Sequence, residues 1–377
     1  MATDRFEPEV VVIGAGIIGG ACAQELALRG QRVLILEAQE VAAETSCRAM
    51  GHLGTWDENE AQLRLSLLAM RCWNELAPEL PPEVEFTPRG AIWVAATADE
   101  MEAVRRKSEG LDRVGVENRV LSSEDLHQEE PNLRSDLPGG LLVPHDVVID
   151  AAEATRFLVR RAQSAGALLR TRSRVAGIDD HAVLLENGDR VHAPHVVVAA
   201  GWRSPQLFPD LPIRPRKGHI ALTAPKPGYV RHQLSGVDYQ ASARPDASDS
   251  IAFSFQPRVS GRYLIGATRQ YVGDSIEVDP RIIEGLLDKA RHYLPDLPGL
   301  PIERTWAGLR PATPDPVPII GPAPGRSELI FATGHEGIGI TTALATGRLV
   351  AELVEGRPPS IPLEPYRPDR FPISPRS

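Results

Sequence analysis

Three glycines, Gly14, Gly16 and Gly19, stand in the pattern GxGxxG, with Ile17 and Ile18 ahead of the last of them. The apolar run Val10-Val11-Val12-Ile13 precedes them and a helix-forming stretch to about Arg29 follows. In that setting the spacing points to the pyrophosphate of a dinucleotide. Gly14 permits a tight turn, Gly16 lets the backbone approach the phosphates, and Gly19 lets helix and strand pack closely, while the helix N-terminus faces the phosphate charge. Glu37 closes a second apolar run, Arg32 to Leu36, and stands 23 positions after Gly14. A carboxylate there accepts hydrogen bonds from a ribose diol and repels a 2′-phosphate, which counts against NADP. Ala38, next in the chain, falls within the same contact. FAD and NAD are both bound through such a turn, so the fingerprint leaves the two open. The competing reading, a plain turn and a surface charge, has to explain why all these marks coincide.

The first 37 residues read as strand, turn, helix and strand, with Gly30 placed to close the helix. Residues 62–79 carry enough apolar side chains for a helix before Pro78 and Pro81-Pro82. A strand at Ala91-Ile92-Trp93-Val94 and a charged helix from about Ala98 to Gly110 follow, and Glu153 to Ala165 reads as another helix. Strands are expected at Arg174 to Ile178, Ala182 to Leu185 and Arg190 to His192, around an Asn187-Gly188-Asp189 turn. The buried-looking run Val196 to Gly201 should rejoin the first sheet. A second β-rich stretch covers about 218–268, turning at Ser260-Gly261. After the proline-rich 311–325 come a strand, Leu329-Ile330-Phe331, and a glycine-rich turn opening a last helix that ends near Gly356. Two β-rich inserts lying between pieces of one nucleotide domain predict interleaved domains.

The chain of 377 residues has room for two such domains, and 42% hydrophobic with 24% charged residues fits a globular protein. A net charge of -9 gives no general attraction to nucleic acid or anionic lipid. Cys22, Cys47 and Cys72 form neither a CxxC pair nor a Cys/His set, so no disulfide framework and no iron–sulfur or zinc site from this chain alone is expected. The run after Glu7 and Glu9 reads as neither a signal peptide nor a membrane span, so the cytoplasm is the expected location.

The stretch Thr305-Trp306-Ala307-Gly308-Leu309-Arg310-Pro311-Ala312-Thr313, then Pro318-Ile319-Ile320-Gly321 and Ala332-Thr333-Gly334-His335, resembles the glycine oxidase, D-amino acid oxidase and sarcosine oxidase family. Pro257-Arg258 with Gly261-Arg262, Gly266-Ala267-Thr268 and Thr45-Ser46 extend the resemblance over almost the whole chain. It implies an α/β fold, a Rossmann-like FAD-binding domain (1–85, 146–215 and 309–377) interleaved with a mixed β-sheet substrate domain (86–145 and 216–308). It also implies FAD as cofactor. The form Gly334 to Thr342 looks closer to the dehydrogenase branch, which includes hydrogen cyanide synthase and D-hydroxyproline dehydrogenase flavin subunits. Those work in hetero-oligomers that pass electrons onward, so an electron-transfer partner subunit is implied.

On this resemblance Arg310 grips a substrate carboxylate, a task its planar fork suits; a structural ion pair is the alternative. Arg269, where glycine oxidase has an apolar residue, either adds a second contact or is a surface charge. A substrate-facing tyrosine of glycine oxidase falls near Ser254, so the substrate is expected not to be simple glycine. The turn Gly334, His335, Gly337, Ile338, Gly339, Ile340 and Thr341 is expected at the isoalloxazine ring, its amides stabilising charge on the reduced flavin, unless it is only a packing turn. His335 either shapes the pocket and meets the flavin or is a satisfied structural histidine. Glu336 either binds the substrate amine or a neighbouring cation, or is a first-turn glutamate favoured by the helix dipole. Ser46 is expected at the pyrophosphate, the backbone of Val175 at adenine, and Gly201 with Trp202 beside FAD, Trp202 being otherwise a core aromatic. The expected reaction is hydride transfer from a carbon beside nitrogen to flavin N5, giving an imine. A hydroxy-acid dehydrogenase and a non-catalytic electron-relaying subunit are the competing functions.

Overall fold

The computed structural model describes residues 6–55, 58–179, 182–238 and 249–373. In chain order, β1 (Val10–Ile13), α1 (Ile17–Leu28) and β2 (Val33–Leu36) lead to β3 (His52–Leu53) and α2 (Glu60–Leu76). Next come β4 (Ala91–Ala95), α3 (Ala98–Arg113), β5 (Arg119–Ser122), α4 (Ser123–Glu129), β6 (Gly139–Val143) and β7 (Val147–Val148). The middle holds α5 (Ala151–Ser164), β8 (Leu168–Arg170), β9 (Val175–Asp179), β10 (Ala182–Leu185), β11 (Arg190–His192), β12 (His195–Val198) and α6 (Ser204–Leu207). Then follow β13 (Arg214–Thr223), β14 (Gln233–Gly236), β15 (Ser250–Pro257), β16 (Tyr263–Arg269), α7 (Pro280–Tyr293), β17 (Ile302–Ala312), β18 (Ile319–Ala323), β19 (Arg326–Thr333) and α8 (Gly339–Val354).

β1 and β12 are short, continuous apolar strands because both faces of their sheet are covered. That sheet has six strands in the order β18-β19-β12-β1-β2-β8, parallel from β19 to β8 with antiparallel β18 at the edge. The run from Val196 does rejoin it, pairing with β1 on one side and β19 on the other. Helices α1, α2, α5 and α8 cover one face with a single core that includes Val10, Leu26, Trp73, Leu158 and Leu349. The three-stranded sheet β11-β10-β9 lies over the other face, where Val183 and Val191 pack with Val11 and Phe331.

The second large sheet has eight strands in the order β17-β13-β16-β15-β14-β4-β6-β5. The turn at Gly261, φ +75°, joins β15 to β16 where expected. Part of the predicted β-rich stretch, residues 239–248, lies outside the described residues. Several elements went unpredicted, among them β5, α4, β6, β8 and β18, and the two longest are β17 and α7. β17, the longest strand, pairs antiparallel with β13 from Arg214↔Ala312 to Thr223↔Ile302. α7 packs Leu286, Leu287, Ala290 and Tyr293 against the sheet, where the Tyr293 ring stacks on Phe253. Its start was signalled by Asp279, whose side chain accepts from Arg281 N, and by Pro280 in the first turn. Predicted helix ends moved by a few residues; α3 runs through Gly110 to Arg113.

Candidate active site

A cavity of about 710 Å³ lies between the two large sheets, within the size range of small-molecule and cofactor sites. One end is built by the dinucleotide turn. Gly14, at φ +106°, has a conformation that glycine adopts without penalty, and a Cβ on Gly19 would sit 1.9 Å from Gly14 O. The glycines are therefore required by the turn and by strand–helix contact respectively. Gly14, Gly16, Ile17 and Ile18 reach the cavity wall, whereas Gly19 lies behind it as the packing glycine.

The helix termini at this cavity differ from the others. Helices α2, α3, α4, α5 and α7 each have an N-cap side chain accepting a backbone N–H. Helices α1 and α8 have none, their N-caps being Gly16 and Ile338, and neither does the one-turn α6; the first residues of α1 and α8 open onto the cavity. Helix-terminal N–H groups not taken up by an N-cap side chain are suited to bind an anion. Ser46, which is buried on the cavity wall, accepts from Ile17 N at 2.9 Å and keeps its hydroxyl hydrogen for a further acceptor. Glu37 Oε2 accepts from Ala15 N at 2.7 Å and Oε1 from Gln39 N at 2.8 Å, which holds the carboxylate against the wall beside Ala38. Val175, Gly201 and Trp202 complete this half of the cavity. The donor set, the cradle of small residues and the volume of the cavity fit a dinucleotide.

The other half is one face of the eight-stranded sheet. Alternate residues of five neighbouring strands line it: Gly308 and Arg310 on β17, Gly218 and Ile220 on β13, Ala267 on β16, Ser254 and Gln256 on β15, and Gln233 and Ser235 on β14. Arg310 Nη1 donates to Thr268 O at 2.9 Å, which orients the guanidinium. A Cβ on Gly218 would lie 2.4 Å from Arg310 Nη1, so the glycine makes room for it. Gly308 does the same for Arg48, which also lines the cavity.

Arg216 stands opposite Arg310 in the β13–β17 register. Glu336 lies 3.2 Å from Arg216 Nη1 and 3.6 Å from Arg269 Nε, and all three side chains are buried. Glu336 is thus a bridge between two guanidiniums rather than a residue of the cavity wall. It also precedes α8, so the expected first-turn position is corrected: the helix starts three residues later, at Gly339. Arg269 is buried in this cluster and not on the surface. The positive charge is felt by His219, pushed down to about 4 by burial first and then by Lys217, with Arg310 adding to it.

In the loop before α8, Gly334, His335, Gly337, Gly339 and Ile340 line the cavity. Ile338 instead packs with Trp93 and Met101, and Thr341 turns its hydroxyl to His52 O at 3.0 Å. His335 Nε2 is bonded to Thr346 Oγ1 at 2.9 Å, while Nδ1 is buried without a hydrogen-bond partner. Burial lowers its pKa to about 3, so the ring is neutral. His52, also on the wall, pairs with Asp146 at 2.9 Å. Sequence reasoning missed Gly218, Ile220, Gln233, Ser235, Gln256 and Gly308 as wall residues, and of these only Gly308 stands in a recognisable stretch, two positions before Arg310. Their alternation along strands was a usable signal only once the strand order was known.

Residues 9–353 match the family described as DAO, FAD dependent oxidoreductase. The glycine oxidase of Bacillus subtilis is 30% identical over 92% of this chain and 92% of its own length. A D-amino acid dehydrogenase of Paramagnetospirillum magneticum is 29% identical, covering 96% of this chain and 99% of that protein. The crystal structure of glycine oxidase from Geobacillus kaustophilus superposes with a TM-score of 0.87 at 27% identity, over 96% of this chain and 98% of that one. The uncapped helix ends, the glycine turn and the matched span agree: the chain belongs to the DAO family of FAD dependent oxidoreductases, and FAD is its cofactor.

Proposed function

We propose that the protein oxidises the C–N bond of a small amine that carries a carboxylate, an amino acid or a secondary amino acid, to the imine. The observation that carries this reading is Arg310, held on the cavity wall with its guanidinium oriented by Thr268 O. The names of the similar proteins, glycine oxidase and D-amino acid dehydrogenase, support the substrate class.

In this reading Gly14, Gly16, Ile17, Ser46 and Glu37 hold the ADP part of FAD, with Val175 near adenine. Gly334, His335, Gly337, Gly339 and Ile340 would meet the ring, where the N-terminal amides of α8 favour negative charge. FAD, when bound, supplies the acceptor for the hydride. The work of the chain is then orientation. Arg310 binds the carboxylate, and Ile220 and Ala267 shape the space beside it and exclude water. His335, being neutral, adds no charge to the site.

The form of Gly334 to Thr342 further supports a separate electron-accepting subunit. The apolar run after Glu7 and Glu9, broken at Gly14, supports the cytoplasm as the place of work. Among the described residues no helix is long and apolar enough to cross a membrane.

An anaerobic titration of the purified flavoprotein with D- and L-amino acids, proline derivatives, glycine and sarcosine tests the reading. Bleaching of the flavin bands by an amine, and slow recovery in air without a partner, is the expected result. Bleaching by matched 2-hydroxy acids alone would overturn it. Arg310→Ala is expected to lower kcat/KM for carboxylate substrates by about 2–5 kcal/mol, the cost of losing one partner of a buried charge pair.

A further inference from the structure

We propose that Gln233 and Gln256 recognise an uncharged hydroxyl or carboxamide on the substrate, so that the enzyme prefers amino acids with such a group over their apolar counterparts. This rests on the reading of the cavity as an amino acid site. Leu234 faces Phe255 and Ser235 faces Ser254 in the β14–β15 register, so continuing the ladder by one residue sets Gln233 opposite Gln256. Both side chains line the cavity, and they are 1% and 0% exposed.

Each amide is fixed by what it already bonds, and each has one atom over. Gln233 Nε2 donates to Leu234 O at 2.9 Å and to Ser254 Oγ at 3.0 Å, which leaves Oε1 buried without a hydrogen-bond partner. Gln256 Oε1 accepts from Arg258 Nη1 at 3.4 Å, which leaves Nε2 in the same condition. An unmet acceptor and an unmet donor therefore belong to two neighbouring side chains of one cavity wall, within a turn of the amide from the cavity, where apolar side chains would carry no such penalty.

The pair selects by its chemistry. An anionic group would face the carbonyl oxygen of Gln233, a cationic group the amide nitrogen of Gln256, and an apolar group would leave both unmet. A hydroxyl or a carboxamide donates to the first and accepts from the second. The position in the sheet adds a length. β15 lies three strand spacings from β17, roughly 14 Å, of which the Arg310 side chain crosses two by reaching Thr268 O on β16. A ligand gripped by Arg310 and by this pair carries its polar group beyond the carbon that bears the amine.

The test compares 4-hydroxyproline with proline, and glutamine with norvaline, each in both chiral forms, as reductants of the wild-type holoenzyme under anaerobic conditions. Calorimetry of 4-hydroxybutyrate against butyrate, neither of which carries an amine, reads the same preference without turnover. The polar member of each pair is expected to be favoured by at least about tenfold, because a site built to hydrogen-bond a hydroxyl rejects the analogue lacking it. Gln233→Met and Gln256→Met, similar in length, should each reduce that ratio to about threefold or less by weakening the polar member alone. An unchanged flavin spectrum verifies that the variants are folded. Equal or better binding of the apolar members by the wild type overturns the proposal, as does a ratio that both substitutions leave intact. If no amine reduces the flavin, the amino acid reading fails, while the calorimetric ratio still decides whether the polar pair selects its ligand.

Discussion

Arg310 and Glu336 illustrate how residues with similar surroundings carry separable jobs. Arg310 reaches the cavity, whereas Glu336 stands between Arg216 and Arg269 and is buried with them. Removing one partner from a buried ion pair leaves an uncompensated charge, so Glu336→Gln is expected to destabilise the protein by about 3–5 kcal/mol, measured by urea unfolding of the flavoprotein. The same substitution removes a negative charge near the carboxylate site, so the affinity for butyrate should not fall. Weakened butyrate binding in a folded Glu336→Gln variant would place Glu336 in direct support of Arg310. At this scale the fingerprint glycines and Glu37 were legible because their demands are local: a positive φ at Gly14, a close approach at Gly19, a carboxylate at a strand end. The direction in which Glu336 turns was not legible, since it depends on guanidiniums 120 and 67 positions away in the chain.

Among the elements, α1 and α8 cross where Gly347 leaves no room for a side chain, an added Cβ falling 2.6 Å from Ala21 O. Gly347→Ala is therefore expected to cost about 1–3 kcal/mol by overpacking and to loosen FAD, because it displaces a helix whose uncapped N-terminus faces the cavity. Gly110→Ala provides the contrast, lying inside α3 with nothing within 4 Å of the added carbon, and should stabilise by about 0.5–1 kcal/mol. Thermal unfolding and flavin retention on dialysis measure both; equal effects would show that helix propensity and not the crossing decides. Strands bounded by turn residues, such as β10 and β11 around Asn187-Gly188, were readable from sequence. β17 was not, although Gly308 and Arg310 stood inside a recognisable stretch. Its burial alternates only weakly, and its partner β13 is about 90 residues earlier in the chain. The polar face made by β14 and β15 was hidden for the same reason: which side chains meet is set by register, not by neighbours in sequence.

For the whole molecule, two histidines buried in neutral form couple stability to acidity. His335 is lowered to about 3 by burial, and His219 to about 4 by burial and then Lys217, both from an ordinary 6.5. A group whose pKa is lower when folded binds its proton first in the unfolded chain. The stabilisation from both histidines is therefore complete above about pH 6.5 and is lost as the pH falls from there towards 4 and then 3. Urea unfolding at pH 7.5 and at pH 5 should show the loss, and His335→Gln should flatten it; an equal slope in that variant would assign the effect to other groups. The arrangement of the sheet also bears on how the protein can change. Thr45 in the loop after the dinucleotide turn donates to Leu309 O at 2.6 Å, and Trp306 Nε1 donates to Arg48 O at 3.3 Å, so the strand carrying Arg310 is fastened to the cofactor side. β14 lies four strands from it. Mutations at Gln233 and its neighbours can therefore accumulate with little effect on carboxylate grip or cofactor retention, so a lineage could retune its diet at one end of the sheet while inheriting the other end unaltered.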